Sequence, residues 1–206
     1  MAGIAGKKAL VKIPGVAVSF TAEAFTDSGD HQTYQITATA KRVWDQNAAI
    51  TIKVGGVTTG ESYTINRLLG TVKFATVNAG RGAVTADGSY LPMSTVAEAK
   101  EYSYTITAAN AIDCSFGDDW ATRVRTTLDV SATLNRWWVD VFFRDALIAA
   151  TVLVLQFYSD SSGSADLLAW VLPKGENWSS QRAGLSEESL QFDGVLDADN
   201  RAISLA

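Results

Sequence analysis

From Thr33 onward the chain alternates. Tyr34, Ile36, Ala38 and Ala40 share one parity and Thr33, Gln35, Thr37 and Thr39 the other, which predicts a strand with one buried and one solvated face over residues 33–40. The same period of two returns in "AITIKVG" (Ile50, Ile52, Val54), in "TVKFA" (Val72, Phe74) and in "YSYTITA" (Tyr102, Tyr104, Ile106 against Ser103, Thr105, Thr107). It returns again from Thr126, where Leu128, Val130, Ala132 and Leu134 alternate with Thr127, Asp129, Ser131 and Thr133. Half-solvated antiparallel strands carry this pattern. Between them "TDSGDH", "KVGG", "NAGRG" and "TADGS" supply the glycine and Asx residues of tight reversals.

Two stretches break the alternation. "WWVDVFFRDALIAA" (137–150) groups Trp138, Phe142, Ala146 and Ala149 near one helical stripe and predicts a single short packed helix. "TVLVLQFYSD" and "ADLLAWVLP" are nearly continuous apolar runs, as in strands covered on both faces. "FGDDWATRV" reads as a corner that aims the following strand, with Gly117 permitting the turn and Asp118 or Asp119 capping nearby amides. Without a linker or fixed-period repeat, residues 1–206 are expected to form one mainly β domain of two packed antiparallel sheets flanked by one helix.

Composition narrows the function classes. In 206 residues, 47% are hydrophobic, enough for a core, and 17 Lys and Arg face 22 Asp and Glu for a net charge of -5. That balance lacks the basic footprint of a nucleic-acid binder. One cysteine, Cys114, and one histidine, His31, exclude an internal disulfide and the usual zinc clusters. The opening "MAGIAGKKALVKIPGVAVSF" has no uninterrupted apolar core ahead of its lysines, so a product kept in the cytoplasm until release is expected. The apolar run 137–157 carries Asp140, Arg144 and Asp145, costly charges for a membrane span.

Candidate chemistry is sparse. His31 sits in a polar turn without a sequence partner for a Ser-His-Asp arrangement. The pairs Asp118/Asp119 and Glu187/Glu188 are adjacent, and adjacent strand residues point to opposite faces, which makes each pair a poor clamp. Cys114 has acidic neighbours and no adjacent base, and reads as a small buried hydrophobe. "NAGRGAVTADG" lacks the spacing and lysine of a phosphate loop. Trp137, Trp138 and Trp170 lie in apolar segments that suit a core or interface, whereas Trp44 and Trp178 are expected to be exposed. No catalytic, cofactor-binding or metal-binding residue is assigned, and the expectation is a protein that is not an enzyme.

The succession "GKKALVKIPGVAVSFTAEAFT", "YQITATAKRVWDQNAAITI", "INRLLGTVKFA", "ADGSYLPMSTVAEAKEYSYTIT" and "DCSFGDDWATRVRTTLDVSATLNRWW" resembles the tail tube protein, or major tail protein, of long non-contractile-tailed bacteriophages over nearly the whole chain. Its most specific elements are Lys41-Arg42-Val43-Trp44-Asp45, the Leu69-Gly70-X-Val72-X-Phe74 strand and the Phe116-Gly117-Asp118-X-Trp120 corner. Ala121 to Arg125 depart from the more usual glycine- or proline-marked approach to the next strand.

The resemblance implies a structural virion protein, assembled in a host cytoplasm as a homo-oligomer of hexameric rings stacked into a tube. Strands from six subunits would close one inner β-barrel, through which phage DNA passes during ejection without specific binding. Tape-measure and tail-tip or terminator proteins are the implied partners, with no membrane and no cofactor. An acidic or polar lumen would repel DNA from the wall. Residues 1–9 are expected to form a flexible arm, and residues 42–67 a hairpin that projects to the neighbouring ring. Ile4, Lys7, Lys8, Arg42, Trp44, Val57, Tyr63 and Arg67 are accordingly the candidate assembly residues. The competing class is a β-sandwich adhesive or carbohydrate-binding module, which shares the strand pattern.

Overall fold

The computed structural model describes residues 10–96, 99–113, 122–137, 140–159, 163–180, 186–197, 199 and 203–204. The expected corner at Phe116–Trp120, Cys114, and the candidate assembly residues Ile4, Lys7 and Lys8 lie outside them. Within them the protein is mainly β, with two antiparallel sheets and one α-helix, as the alternation predicts. The chain divides into two compact units, one built from residues 1–96, 154–170 and 196–206, the other from 97–153 and 171–195.

In the first unit, β1 (Leu10–Pro14), β2 (Val18–Asp27), β3 (Thr33–Ile36), β4 (Thr51–Val54), β5 (Val57–Thr58), β6 (Tyr63–Asn66), β7 (Thr71–Phe74), β8 (Val84–Tyr90) and β9 (Met93–Thr95) follow in order. Seven of them form a sheet ordered β5-β4-β8-β2-β3-β7-β6. Its two edge strands, β5 and β6, are joined by residues 59–62 alone. From Thr58 to Tyr63 the chain reaches about 17 Å when extended, whereas seven flat strands at ~4.8 Å spacing would hold their edges roughly 29 Å apart. The sheet must therefore curl until its edges approach, and it does so around one core. Phe20, Tyr34, Ile36, Trp44, Ile52, Val72, Phe74, Val84 and Ala86 fill that core. Phe25 meets Trp44 edge-on at 5.9 Å and Tyr34 meets Phe74 at 5.7 Å between ring centroids.

Sharp curvature needs local devices. β2 bulges between Phe20 and Glu23 opposite β8, and within the bulge Ala22 takes a φ of 50° while its N–H donates to Asp87 Oδ1 at 2.7 Å. Gly88 faces this region, where a Cβ would stand 2.4 Å from Ile50 Cδ1 and 3.1 Å from the Phe20 ring. "TADGS" is therefore not the expected turn. It lies inside β8, and its glycine serves close packing instead of a reversal. The strand expected over 33–40 also stops early, at Ile36, and Thr39–Lys41 form a 3-10 turn that carries the chain over the core to Trp44.

The turn from β2 to β3 is a carboxylate-built loop. Asp27 Oδ1 accepts from the Gly29 and His31 amides, and Asp30 Oδ1 accepts from Gln32 N at 3.0 Å and Thr33 N at 2.6 Å. Those amides hold the Asp30 carboxyl down to about 2. His31, at a φ of 54°, places Nδ1 2.7 Å from Asp27 Oδ2, a pairing four residues apart that closes the loop.

Also in this unit, β1 pairs with β12 (Leu153–Tyr158) and β9, and β15 (Ile203–Ser204) pairs with Leu168 and Ala169 of β13 (Leu167–Ser179). β12 is buried at every position and β13 is buried from Leu167 to Val171, as the continuous apolar runs predict. In the second unit, β10 (Ala99–Asp113) and β11 (Thr122–Trp137) form a long hairpin. β11 continues onto β14 (Glu187–Gly194), which pairs with Val171–Ser179 of β13. The helix α1 spans Phe142–Ile148, and its Phe143 packs edge-on against Phe192 at 5.7 Å. It is shorter than the 137–150 stripe, and Trp138 lies outside the described residues.

The two short motifs singled out by resemblance in this unit meet each other. Gly70 has a φ of 60°, and a Cβ there would stand 2.7 Å from Arg42 O and 2.9 Å from Arg42 Cα. Neither contact is the tip of a flexible side chain, so the backbone itself must move. Gly70→Ala is expected to cost roughly 2–4 kcal/mol, from the left-handed conformation and the backbone clash together. Urea denaturation checks it, and a loss below about 0.5 kcal/mol would remove this contact from the account.

Candidate functional site

The described candidate assembly residues do not form one patch. Trp44, expected at the surface, is a fully buried core residue. Its N–H donates to Arg67 O at 2.8 Å and its Nε1 to Lys41 O at 2.9 Å. Sequence reasoning placed it outside because its neighbours are polar; the 3-10 turn directly before it rotates the indole inward. Arg67 is buried as well and holds the fold together. Its Nη1 donates to Asp45 O at 2.8 Å and Ala48 O at 2.9 Å, and its Nε to Asp199 Oδ2 at 2.9 Å. Tyr63 is half-buried and packs on Phe74. Val57, at the β4–β5 turn made by Gly55 and Gly56, is 70% exposed. Residues 42–67 are thus a short β4–β5 hairpin followed by β6, which pairs with β7 instead. Arg42 is half-buried, and its buried Nε has no acceptor among the described residues.

The long β10–β11 hairpin shows a surface that the alternation alone misassigns. Tyr102, Tyr104, Ile106 and Ala108 stand opposite Leu134, Ala132, Val130 and Leu128 on one face. From Val130 to Leu134 the β11 half of that face is buried, as expected. The β10 half is not. Tyr104 is 38% and Ile106 40% exposed, and Leu128 is 53% exposed. The opposite face carries Ser103, Thr105 and Thr107 against Thr133, Ser131 and Asp129, all polar. β10 ends the order of its sheet, with β11 on one side and no further strand among the described residues. A 15-residue strand with an apolar strip, a hydroxyl-rich face and an open edge is a template for pairing with another chain.

Behind the hairpin lies a buried charge cluster. Arg136 Nε donates to Glu188 Oε2 at 2.6 Å, and Nη2 donates to Asp140 Oδ1 at 3.1 Å. The guanidinium also sits 4.7 Å from the Phe143 ring. Glu187 and Glu188 do point apart, as strand geometry requires: Glu187 is exposed and pairs with Lys100 at 2.7 Å, whereas Glu188 is enclosed. Burial pushes the Glu188 carboxyl up against the pull of Arg136, and the nearby Glu176 carboxyl adds to the rise. This is a structural pair that sets the register of β11 on β14 at Arg136 and Glu188.

Chemical groups for catalysis are not assembled anywhere described. Among the described residues no group of three or more His, Cys, Asp or Glu is placed to hold a metal ion. His31 and Asp27 form a clasp that closes the β2–β3 turn. Among the described residues no helix is long and apolar enough to cross a membrane. Trp178, on β13, is 57% exposed, as expected.

No family model matches the sequence, and no curated protein matches it. Among solved structures, the chain is similar to one in the tail of an empty gene transfer agent particle with C6 symmetry, at 13% identity and a TM-score of 0.46, over 56% of this chain and 87% of that one. It is similar also to a chain in the virion of a native gene transfer agent particle, at 12% identity and a TM-score of 0.45, over 55% and 88%.

Replacing Arg136 by methionine would leave Glu188 buried without its counter-charge. Arg136→Met is expected to destabilise by about 3–5 kcal/mol at neutral pH. A carboxyl whose folded pKa is raised binds its proton more tightly when folded. Its stabilising share is full below the ordinary glutamate value and is lost as pH rises through the raised one. The penalty should therefore be smaller at pH ~4.5 than at pH ~7.5. Urea denaturation at both values tests this; an equal penalty would mean that Glu188 is not the group left stranded.

Proposed function

We propose that this protein is the structural subunit of a phage-type tail tube, acting as one tail-tube domain over residues 1–206. The observation that carries the reading is the β10–β11 hairpin, open at the β10 edge and apolar on the strip beside that edge. The resemblance of the sequence over nearly its whole length supports the same reading from a separate direction.

Pairing at an open edge satisfies the row of backbone amides and carbonyls that a lone strand leaves to water. When each copy adds its hairpin to the next by the same heterologous contact, a rotation that closes gives a ring, and a contact along the axis gives a tube. Six copies close the ring in this proposal, and the rings stack. The strip of Tyr104, Ile106 and Leu128 is then covered by neighbouring protein. The opposite face, with Ser103, Thr105, Thr107, Ser131 and Asp129, looks into the lumen. Hydroxyls and a carboxylate offer DNA no cationic grip, so the strand slides without being captured. Tape-measure and tip or terminator proteins are the partners that set tube length and ends, and assembly takes place in the host cytoplasm before the product leaves as a virion tail. In the same reading residues 1–9 are an arm to the neighbouring ring, and exposed Val57 marks the turn that approaches it.

The adhesive or carbohydrate-binding alternative relied on exposed tryptophans. Trp44 is in the core, which leaves Trp178 without its companion.

Ile106→Lys places a charge in the exposed strip without opening a core cavity. The expected outcome is a β-rich chain by circular dichroism that stays as small particles under electron microscopy, at concentrations where the parent forms stacked rings with an open centre. Rings from both chains would contradict the role given to the strip; rings from neither, at any concentration or with a tail-tip nucleus, would contradict the tube.

A further inference from the structure

The buried cluster of the second unit does not balance in charge. Arg136 is one cation, and three carboxyls gather at it. Glu188 Oε2 accepts from its Nε at 2.6 Å, Asp140 Oδ1 accepts from its Nη2 at 3.1 Å, and the Glu176 carboxyl reaches Glu188 from the neighbouring strand. Asp140 is exposed and keeps its charge in water. Glu188 is enclosed on every side. The β13–β14 register explains the third carboxyl: Trp178 stands opposite Glu188 and Glu176 opposite Leu190, so Glu176 and Glu188 project from one face as diagonal neighbours on adjacent strands. Their carboxyls come within hydrogen-bonding reach of each other.

The second oxygen of Glu188, Oε1, is buried and meets no donor among the described residues. A carboxylate oxygen shut away from water without a donor is costly, and a second carboxylate beside it adds repulsion. A proton held between the two removes both penalties. One carboxyl then donates to the other, and together they carry a single negative charge, which Arg136 balances.

We propose that Glu176 and Glu188 share one proton and form a pH-sensitive fastener at the Trp178–Glu188 end of the β13–β14 pairing. Solvent supplies the proton and takes it back. With it in place the strand ends are joined by an acid–carboxylate hydrogen bond as well as by the backbone ladder. Once it leaves, two carboxylates face one guanidinium, the half-buried Glu176 turns toward water, and Glu188 Oε1 has no donor. The raised Glu188 carboxyl, lifted by burial first and by Glu176 in addition, agrees with this. The stability it lends is complete below the ordinary glutamate value and is lost as pH rises through the raised one.

The other charged groups packed around the pair play a different part. Glu187 and Glu101 belong to the opposite face, where Glu187 pairs with Lys100. From α1 it is the Phe143 ring that meets the Arg136 guanidinium, while Arg144 and Asp145 are exposed. Tyr102 of β10 shares the face, opposite Leu134, and work below pH ~9 keeps clear of the range in which phenols ionise.

The test titrates the dispersed full-length protein with 13C-labelled glutamate carboxyls, followed by NMR, and Glu188→Gln assigns the signal. In the parent, Glu188 is expected to titrate above the ordinary glutamate range, in two steps coupled to Glu176. Glu176→Gln keeps the size of the half-buried side chain and gives Oε1 a permanent N–H donor. In that variant Glu188 should ionise at or below the ordinary range. The urea midpoint, which falls in the parent between pH ~5 and ~8.5, should lose most of that dependence. A Glu188 carboxyl that stays raised in Glu176→Gln would mean that burial alone shifts it, and an ordinary titration in the parent would mean that no proton is held. Either result overturns the proposal, as does an equal fall of the urea midpoint in both chains. The outcome is the same whether or not copies assemble, so it stands apart from the tube reading.

Discussion

A β-sheet has edges, and each edge leaves backbone donors and acceptors that must find partners. This protein meets that constraint in two different ways. In the seven-stranded sheet the edges β5 and β6 are tied by residues 59–62, so the sheet curls and its edges are drawn together around Trp44, Phe20 and Phe74. In the second unit the last strand, β10, is fifteen residues long and has nothing beyond it among the described residues. One edge is managed within the chain. In the proposed assembly the other is covered by another chain.

The curled sheet explains why the conspicuous sequence blocks turned out to be internal. Gly70 lies on the Arg42 backbone, the Trp44 amide reaches the Arg67 carbonyl, and Arg67 in turn holds Asp45, Ala48 and Asp199. These residues form the floor of the first unit, where strand ends, a 3-10 turn and a left-handed glycine must fit at once. Of these side chains, Arg42 keeps a buried Nε with no acceptor among the described residues.

Much of the fold was legible in the alternation. The strands around Ile52, Val72 and Val130 have the period and the burial that their residues prescribe, and the apolar runs at Leu153–Tyr158 and Leu167–Val171 are covered on both faces. Periodicity states which residues share a face, but not what lies against that face. It therefore placed Tyr104 and Ile106 in a core, although they lie on the last strand of the order and are exposed while Val130 and Leu134 on the adjacent β11 are buried. Polar neighbours likewise suggested a surface position for Trp44, since a 3-10 turn has no signature in a period of two. Gly88 looked like a reversal because Asp-Gly favours turns; here the glycine answers to Ile50 and Phe20 across the sheet. The buried Arg136–Glu188 pair was unreadable for a similar reason, because its partners come together only through the β11–β14 register.

The central claim is that the β10 edge is the surface through which copies join. Hydrogen–deuterium exchange with the protein dispersed and then assembled measures it directly. The account predicts that the β10 amides pointing away from β11 exchange quickly when dispersed and become strongly protected on assembly, while those of the curled sheet around Val72 and Ile52 are protected in both states. If assembly occurs and β10 exchange does not change, the copies join elsewhere and the account is wrong.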